Sequence, residues 1–356
     1  MSLQRIKKLR EKMKEHGIDA LLVSHKVNRD YLLNINFFIG GVCLVTSRNA
    51  YFLADFCNYG EVKSRTCGDI NMVLLKKSFI EHLRDIVNAD KVKKLGIEHQ
   101  YMSVAKYDEI KALKKAKAVY AGWLVEELRM KKEKAEIDSI RKASELSDLV
   151  LNQIPGFLKP GITEKDAARR IDRIIRDNRG DIAFDTIVAS GVRSGYPHGT
   201  ASDKVIKPGD AVVVDLGAQL NGYSSDCTRT FFAGKPDSKQ KKVYGIVRQA
   251  QEKALKQVKE GAICSKLDSS ARALISKKGF GKYFGHSLGH GVGREVHELP
   301  HVSMNNLTAL ESGMVITIEP GIYLPDGFGV RIEDLVVVTK SGFENLSKTT
   351  KDMISV

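Results

Sequence analysis

The stretch Gly209-Asp-Ala-Val-Val-Val-Asp215-Leu-Gly217 aligns without a gap on Gly313-Met-Val-Ile-Thr-Ile-Glu319-Pro-Gly321. Each copy reads as a glycine turn, a buried strand of β-branched residues, one carboxylate and a second glycine. A helical pattern precedes each copy, with Thr163-x-x-Asp166 ahead of Ala167 to Ile175 and Ser265-x-x-Asp268 ahead of Ala271 to Ile275. Both openings have capping-box spacing. The repeat predicts a domain of two halves related by an approximate two-fold, its two carboxylates facing the pseudo-axis.

Each half adds a second carboxylate. Asn221-Gly222 is a two-residue turn signal between strand patterns at 211 to 218 and 223 to 232. With that turn, Leu220 pairs with Tyr223, Asp215 lies opposite Thr228, and Asp226 sits in diagonal reach on the same face. Two carboxylates on one buried face repel and raise each other's pKa, and a cation between them removes that cost. Val212 to Val214 and Phe231-Phe232 mark this sheet as buried, which argues against two solvated aspartates. The second half repeats the device, with Val315 to Ile318 leading into Glu319 and Val330 to Val338 bringing Glu333.

A transition ion also wants a nitrogen ligand. The segment from Gly285 to Glu298 holds His286, His290 and His297 among glycines at 289, 291 and 293, which let backbone approach closely and argue against helix. His290, between two glycines, is the first choice as ligand, His297 faces substrate or supports the site, and His286 reads as a bystander. Four carboxylates and one imidazole suit a pair of divalent ions, Mn²⁺ or Co²⁺, with Zn²⁺ as the alternative. Two ions bridged by carboxylates would hold a shared hydroxide and polarise a carbonyl, which is hydrolytic chemistry. Carboxylate-bridged metal pairs that work on oxygen sit instead on helices carrying Glu-x-x-His.

Outward from this core, the chain divides by pattern into an α/β unit at 1–125 and a catalytic domain at 126–356. Ile6, Leu9 and Met13 share a helix face that Gly17 ends, and Ile18 to Val23 follows as a strand. Strand runs at Val42 to Val45, Tyr51 to Ala54 and Met72 to Leu75 alternate with helical patterns at Phe79 to Val87 and Val104 to Lys115. A charged helix opens near Lys131, with Ile137, Ile140, Leu146 and Leu149 at helical spacing, and ends near Pro155-Gly156.

Bulk properties remove other classes. The net charge of +14 is spread over short lysine groups with acidic residues among them and no nucleic-acid motif, so a solvated surface explains it and no nucleic-acid partner is expected. The apolar run from Asn36 to Thr46 is too short to span a bilayer, and Met1 to Glu15 has no apolar export core, so no membrane partner is expected. Five scattered cysteines (Cys43, Cys57, Cys67, Cys227, Cys264) without a CxxC pair suit a reducing cytoplasm.

These residues resemble the pita-bread metallopeptidases, in the Xaa-Pro dipeptidase (prolidase) and aminopeptidase P branch, over nearly the whole chain. The resemblance rests on Pro197-His198-Gly199, Asp215 with Asp226-x-Thr-Arg-Thr230, Gly289-His-Gly-x-Gly293 with Val296-His-Glu298, Ile318-Glu-Pro-Gly-Ile-Tyr323, and Val330-Arg-Ile-Glu-Asp334. Five blocks in order make chance agreement remote. In the first unit Arg5-x-x-x-Leu9-x-x-x-Met13, Ile18-Asp-Ala-Leu-Leu-Val23 and Tyr31-Leu32 resemble the creatinase-type N-terminal domain. The implied fold is α+β, a creatinase-type α/β domain followed by a pseudo-two-fold pita-bread domain.

The resemblance implies that Asp215 binds one metal, Asp226 and Glu333 bridge both, and His290 with Glu319 completes the other. It implies further that Glu319 takes the proton of the attacking water, that His198 and His297 contact substrate and stabilise the tetrahedral intermediate, and that Arg331 lies at the site. Tyr223, just ahead of the second aspartate, is placed to support it. The implied activity is hydrolysis of the bond preceding proline in Xaa-Pro dipeptides, in a cytoplasmic homodimer. Aminopeptidase P activity on longer Xaa-Pro peptides is the nearest alternative. Methionine aminopeptidases share the five ligands but have glutamine where Arg331 stands and lack the N-terminal domain, although Arg294 resembles their pattern. Asp55-Phe-Cys-Asn-Tyr59 departs from the aspartate closely followed by Arg-Tyr of many relatives. Creatinase, which works without metal, and non-catalytic binding homologues share the fold but have lost some of the five ligands, all of which are present here.

Overall fold

The computed structural model describes residues 2–36, 40–65 and 70–356. Part of the apolar run at 36 to 46, the first residue of the N-terminal stretch, and Cys67 therefore lie outside the described residues. The chain divides into two compact units, Met1–Arg129 and Met130–Val356. Leu124 and Val125 are buried in the apolar core of the first.

The first unit is a six-stranded mixed sheet in the order Asn71–Leu74, Ala50–Ala54, Val42–Thr46, Ala20–Val23, Lys94–Ile97, Lys117–Tyr120. Alternation along the strand Ala20–Val23 sends Leu21 and Val23 to one apolar cluster and Ala20 and Leu22 to another, so both faces of the sheet are covered. Helix Ser2–Glu15 buries Ile6, Leu9 and Met13 on one face, and Gly17 at φ +62° ends it in the left-handed conformation glycine adopts without strain. The strands Lys94–Ile97 and Lys117–Tyr120 and the helices Lys26–Leu33 and Phe56–Arg65 carry no clear sequence period and appear only in the structure.

The second unit shows the repeat as matched hydrogen bonds. Gly161 N donates to Ile206 O and Gly261 N to Leu310 O, while Ile206 N donates to Ile162 O and Leu310 N to Ala262 O. Thr163 bridges Val205 as Ile263 bridges Ala309. Each pair leads into a helix, Glu164–Asp177 and Cys264–Lys277. The first helix is capped as its sequence predicts, with Thr163 Oγ1 accepting from Asp166 N. The second capping box does not form. Its helix starts two residues earlier than that box requires, behind Ile263, and offers no side-chain cap. Ser265 is already helical, and Asp268 is buried in an ion pair with Arg272 and accepts from Leu288 N at 3.0 Å. Helix Lys134–Gln153 buries Ile140, Ala143, Ser147 and Val150, whereas Leu149 faces outward at 40% exposure and is not part of the packed stripe.

The first hairpin has the register that its turn requires. Asn221 and Gly222 both have positive φ (+53° and +75°), which matches the right-handed twist of the flanking strands. Leu220 pairs with Tyr223 and Asp215 with Thr228. The strands are interrupted between Ala211–Leu216 and Ala218–Leu220, and between Tyr223–Ser224 and Cys227–Phe232, which leaves Asp226 in the break. In the second hairpin Ile318 pairs with Asp334 and Gly321 with Arg331. That shared register sets Glu319 directly opposite Glu333, again between strand segments.

Candidate active site

Both hairpins deliver their carboxylates to one cavity of about 480 Å³, a size suited to a small molecule or short peptide. Asp215, Asp226, His290, Glu319, Glu333, His198, His297 and Arg331 all line it. Among the described residues, three triads have ligating atoms within 4.8 Å of one another: Asp215–Asp226–Glu333, His290–Glu319–Glu333, and Asp226–His290–His297. The sequence-predicted groups thus converge.

Their electrostatics are unbalanced. Burial and the charges of Glu333, Asp215 and Glu319 push Asp226 well above the ordinary carboxylate range. Burial, Glu319 and Asp215 do the same to Glu333. Asp215 Oδ1 and Glu333 Oε1 are buried with no hydrogen-bond partner, a state that costs free energy unless a cation or donor faces them. Burial also raises Glu319, but its hydrogen bond and charge attraction to His290 outweigh this and hold it at about 2.

The imidazoles are oriented by their neighbours. His290 Nδ1 lies 3.1 Å from Gly291 O, so Nε2 is the atom turned to Glu319 Oε1 at 3.2 Å and Asp226 Oδ2 at 3.5 Å. An imidazole fixed through one nitrogen by a backbone carbonyl, its other nitrogen among carboxylates, is the arrangement of a metal ligand. The chemistry of this set therefore fits divalent ions, which Asp215, Asp226, His290, Glu319 and Glu333 could hold. The His297 ring packs edge-on to His290 at 4.3 Å, and its pKa falls to about 4 through burial and the neighbouring His290.

Two threonines and a tyrosine support the ligand set and were not singled out from sequence. Thr228 Oγ1 donates to Glu333 Oε2 at 2.7 Å and accepts from Arg331 Nε at 3.0 Å. Thr317 Oγ1 donates to Glu319 Oε1 and accepts from His290 N, both at 3.1 Å. Tyr323 OH joins His286 Nε2 at 2.9 Å to Arg331 at 3.0 Å. The signal for the threonines was present: Thr228 follows Asp226, and Thr317 precedes Glu319, by the two-residue period that keeps side chains on one strand face. His286, read from sequence as a bystander, lines the cavity instead. Arg331 is buried, donating to Asp215 Oδ2 at 2.7 Å, Pro197 O at 3.0 Å and Tyr323 OH.

The glycines around His290 are required by close approach. A Cβ on Gly289 would stand 2.1 Å from Thr317 O, which is backbone and cannot turn away. Gly289→Ala is expected to destabilise the protein by about 1–3 kcal/mol, and to weaken Mn²⁺ binding because Thr317 contacts both His290 and Glu319. Thermal melting and a Mn²⁺ titration check this, and wild-type values in both would contradict it.

Similarity to known proteins agrees with this geometry. Residues 138–340 match the pattern of metallopeptidase family M24, and residues 5–131 that of the creatinase/prolidase N-terminal domain. The chain is 40% identical to an Xaa-Pro dipeptidase of Pyrococcus horikoshii, over 99% of both chains. Among solved structures, an Xaa-Pro dipeptidase from Bacillus anthracis superposes with TM-score 0.97 at 36% identity, covering 100% of both chains. An X-Pro aminopeptidase from Thermotoga maritima gives TM-score 0.87 at 37% identity, covering 96% of this chain and 98% of that one. The chain belongs to metallopeptidase family M24, with a creatinase/prolidase N-terminal domain ahead of its pita-bread domain, and is a divalent-metal-dependent enzyme.

Proposed function

We propose that this chain hydrolyses the peptide bond preceding proline in Xaa-Pro dipeptides. The observation that carries the reading is the pair of unpartnered buried oxygens, Asp215 Oδ1 and Glu333 Oε1, inside a cluster of four carboxylates and one imidazole. Full-length similarity to Xaa-Pro dipeptidases supports the substrate class.

In this reading Asp215, Asp226, His290, Glu319 and Glu333 would together hold the divalent ions, with the carboxylates supplying most of the ligand atoms and His290 the nitrogen. Mn²⁺ or Co²⁺ suits the oxygen-rich set, with Zn²⁺ as the alternative. When bound, the ions supply charge that acidifies water and polarises the scissile carbonyl. The protein's own groups do the rest. Glu319 is ionised at neutral pH, and its Oε1 is tied to Thr317 and His290, which leaves Oε2 to take the proton of the attacking water. His198 and His297, on the exposed side of the cavity, orient the substrate and donate to the oxygen that gains charge at the carbonyl. Arg331 neutralises and fixes Asp215, as their 2.7 Å contact supports.

Likeness to the Thermotoga X-Pro aminopeptidase favours one second reading, removal of the first residue from longer Xaa-Pro peptides. Purified protein loaded with Mn²⁺ or Co²⁺ is expected to cleave Gly-Pro faster than Gly-Pro-Ala at equal concentration and to bind two ions per chain. Preference for Gly-Pro-Ala would move the assignment to the aminopeptidase, and no turnover of either would sink both. No described helix is long and apolar enough to cross a membrane. The scattered cysteines, four of which are free among the described residues, support a cytoplasmic setting. A homodimer completes the proposal and is checked by light scattering.

A further inference from the structure

Behind the loop that carries His290 and His297, two cations and two carboxylates are buried without lining the cavity: Lys132, Arg294, Glu136 and Glu298. Lys132 Nζ lies 2.7 Å from Glu298 Oε1, with the two side chains only 1% and 4% exposed. Lys132 also donates to Met130 O at 3.1 Å. Arg294 Nε donates to Tyr223 OH at 3.3 Å, its guanidinium lying 5.0 Å from the centre of the Tyr223 ring. Tyr223 OH in turn donates to Glu136 Oε1 at 2.8 Å, and the other Glu136 oxygen accepts from Glu133 N at 2.9 Å. Ser224 N donates to Gly293 O at 2.7 Å. Together these bonds fasten residues 293–298 to the start of helix Lys134–Gln153 and to the turn of the first hairpin.

Four buried charges are a poor way to gain stability, because apolar side chains of similar volume hold a fold at least as well. Their distinctive property is direction: each bond fixes one rotamer and one register. The segment needs this, since Gly289, Gly291 and Gly293 leave Val292 as the one apolar side chain of the 289–293 run that packs into the core. Glu298 directly follows His297, and it packs so closely under the loop that a Cβ on Gly293 would stand 2.2 Å from Glu298 Oε1.

We propose that the Lys132–Glu298 pair, seconded by the Arg294–Tyr223–Glu136 chain, consists of positioning residues that set His297 against His290 and the reacting carbonyl. This rests on the reading that His297 faces substrate. It also gives Arg294 a role inside the protein, independent of which peptide the enzyme cleaves.

The test uses full-length protein loaded with Mn²⁺ and compares wild type, Glu298→Gln, Lys132→Met and the double variant Lys132→Met/Glu298→Leu. Melting temperature, metal content and the separate kcat and KM for Gly-Pro are read for each. Displacing a catalytic group by about 1 Å lowers turnover by roughly 100-fold, so each single variant is expected to lose about 30- to 100-fold in kcat. KM should stay within about threefold and metal content at two ions per chain, with melting lower by roughly 10 °C. The double variant removes both charges of the Lys132–Glu298 pair together, so melting should rise above that of either single variant while kcat stays down by at least about tenfold. Recovery of kcat together with melting would reduce the pair to a structural contact and overturn the proposal, as would single variants with wild-type kcat. Should the double variant not fold, Glu298→Gln, which preserves size, decides by the same split of kcat against KM. A wild type inactive on Gly-Pro would overturn the functional reading and this proposal together, whereas an active wild type with unaffected variants overturns only the positioning role.

Discussion

Glu333→Gln is expected to lower Gly-Pro hydrolysis by at least roughly 10³-fold, to lose bound metal, and to raise the melting temperature of the metal-free protein. The rate follows from removing a carboxylate assigned to hold the ions, a loss of about 4 kcal/mol of charge stabilisation in the transition state. The melting change has the opposite sign because Glu333 is buried and repelled by Glu319 and Asp215. A neutral amide removes that repulsion yet still accepts from Thr228 Oγ1, which holds Glu333 Oε2 at 2.7 Å. In the wild type, saturating Mn²⁺ should raise melting by roughly 5–10 °C, the effect of a ligand at about 100 times its Kd on a domain of this size. The variant should show a smaller rise. Scanning calorimetry with and without Mn²⁺, alongside elemental analysis, reads all three effects. Full metal content and wild-type turnover in Glu333→Gln would refute the ligand assignment.

The second large effect is on stability. Arg229 is buried at the base of both hairpins and donates to Asp334 Oδ1 at 2.8 Å, to Thr349 O at 2.7 Å, to Thr350 O at 3.0 Å and to the carbonyl of Glu333. It thus ties the C-terminal segment to the backbone of an assigned ligand. Arg229→Met leaves Asp334 with Lys351 as its remaining cation, at 2.7 Å, and orphans several carbonyls. Breaking a buried pair by removing one partner costs about 3–5 kcal/mol, so melting should fall by roughly 6–20 °C. Mn²⁺ affinity should fall with it, since the Glu333 backbone loses its anchor. Calorimetry and a metal titration test this, and melting within about 2 °C of wild type would show that the clamp carries little of the domain's stability.

The register of the first hairpin was legible because Asn221-Gly222 is a strong local signal. A two-residue turn leaves one pairing, and the period of two carries it unaltered to Asp215 and Thr228. The repeat of glycine, buried strand and carboxylate was legible for a similar reason: it recurs with the same internal spacing. The second capping box failed because the residue matching Thr163 is Ile263, and the first turn there is set by the bridge of Ile263 to Ala309. Leu149 was misplaced because helical spacing alone leaves the edge of an apolar stripe undefined until the neighbouring elements are known.

By itself, then, the sequence determined the hairpin register, the repeat, and which residue types could meet at the pseudo-axis, since turn chemistry and strand period act between near neighbours in the chain. Only the tertiary structure decided which oxygens of Asp215 and Glu333 are left unpartnered, which nitrogen of His290 faces the acids, and that His286 belongs to the cavity wall. It alone brought Lys132 to Glu298. The reason is that each of these depends on side chains from distant segments packing into a common low-dielectric space, where burial sets the strength of every charge and no local period records the partner.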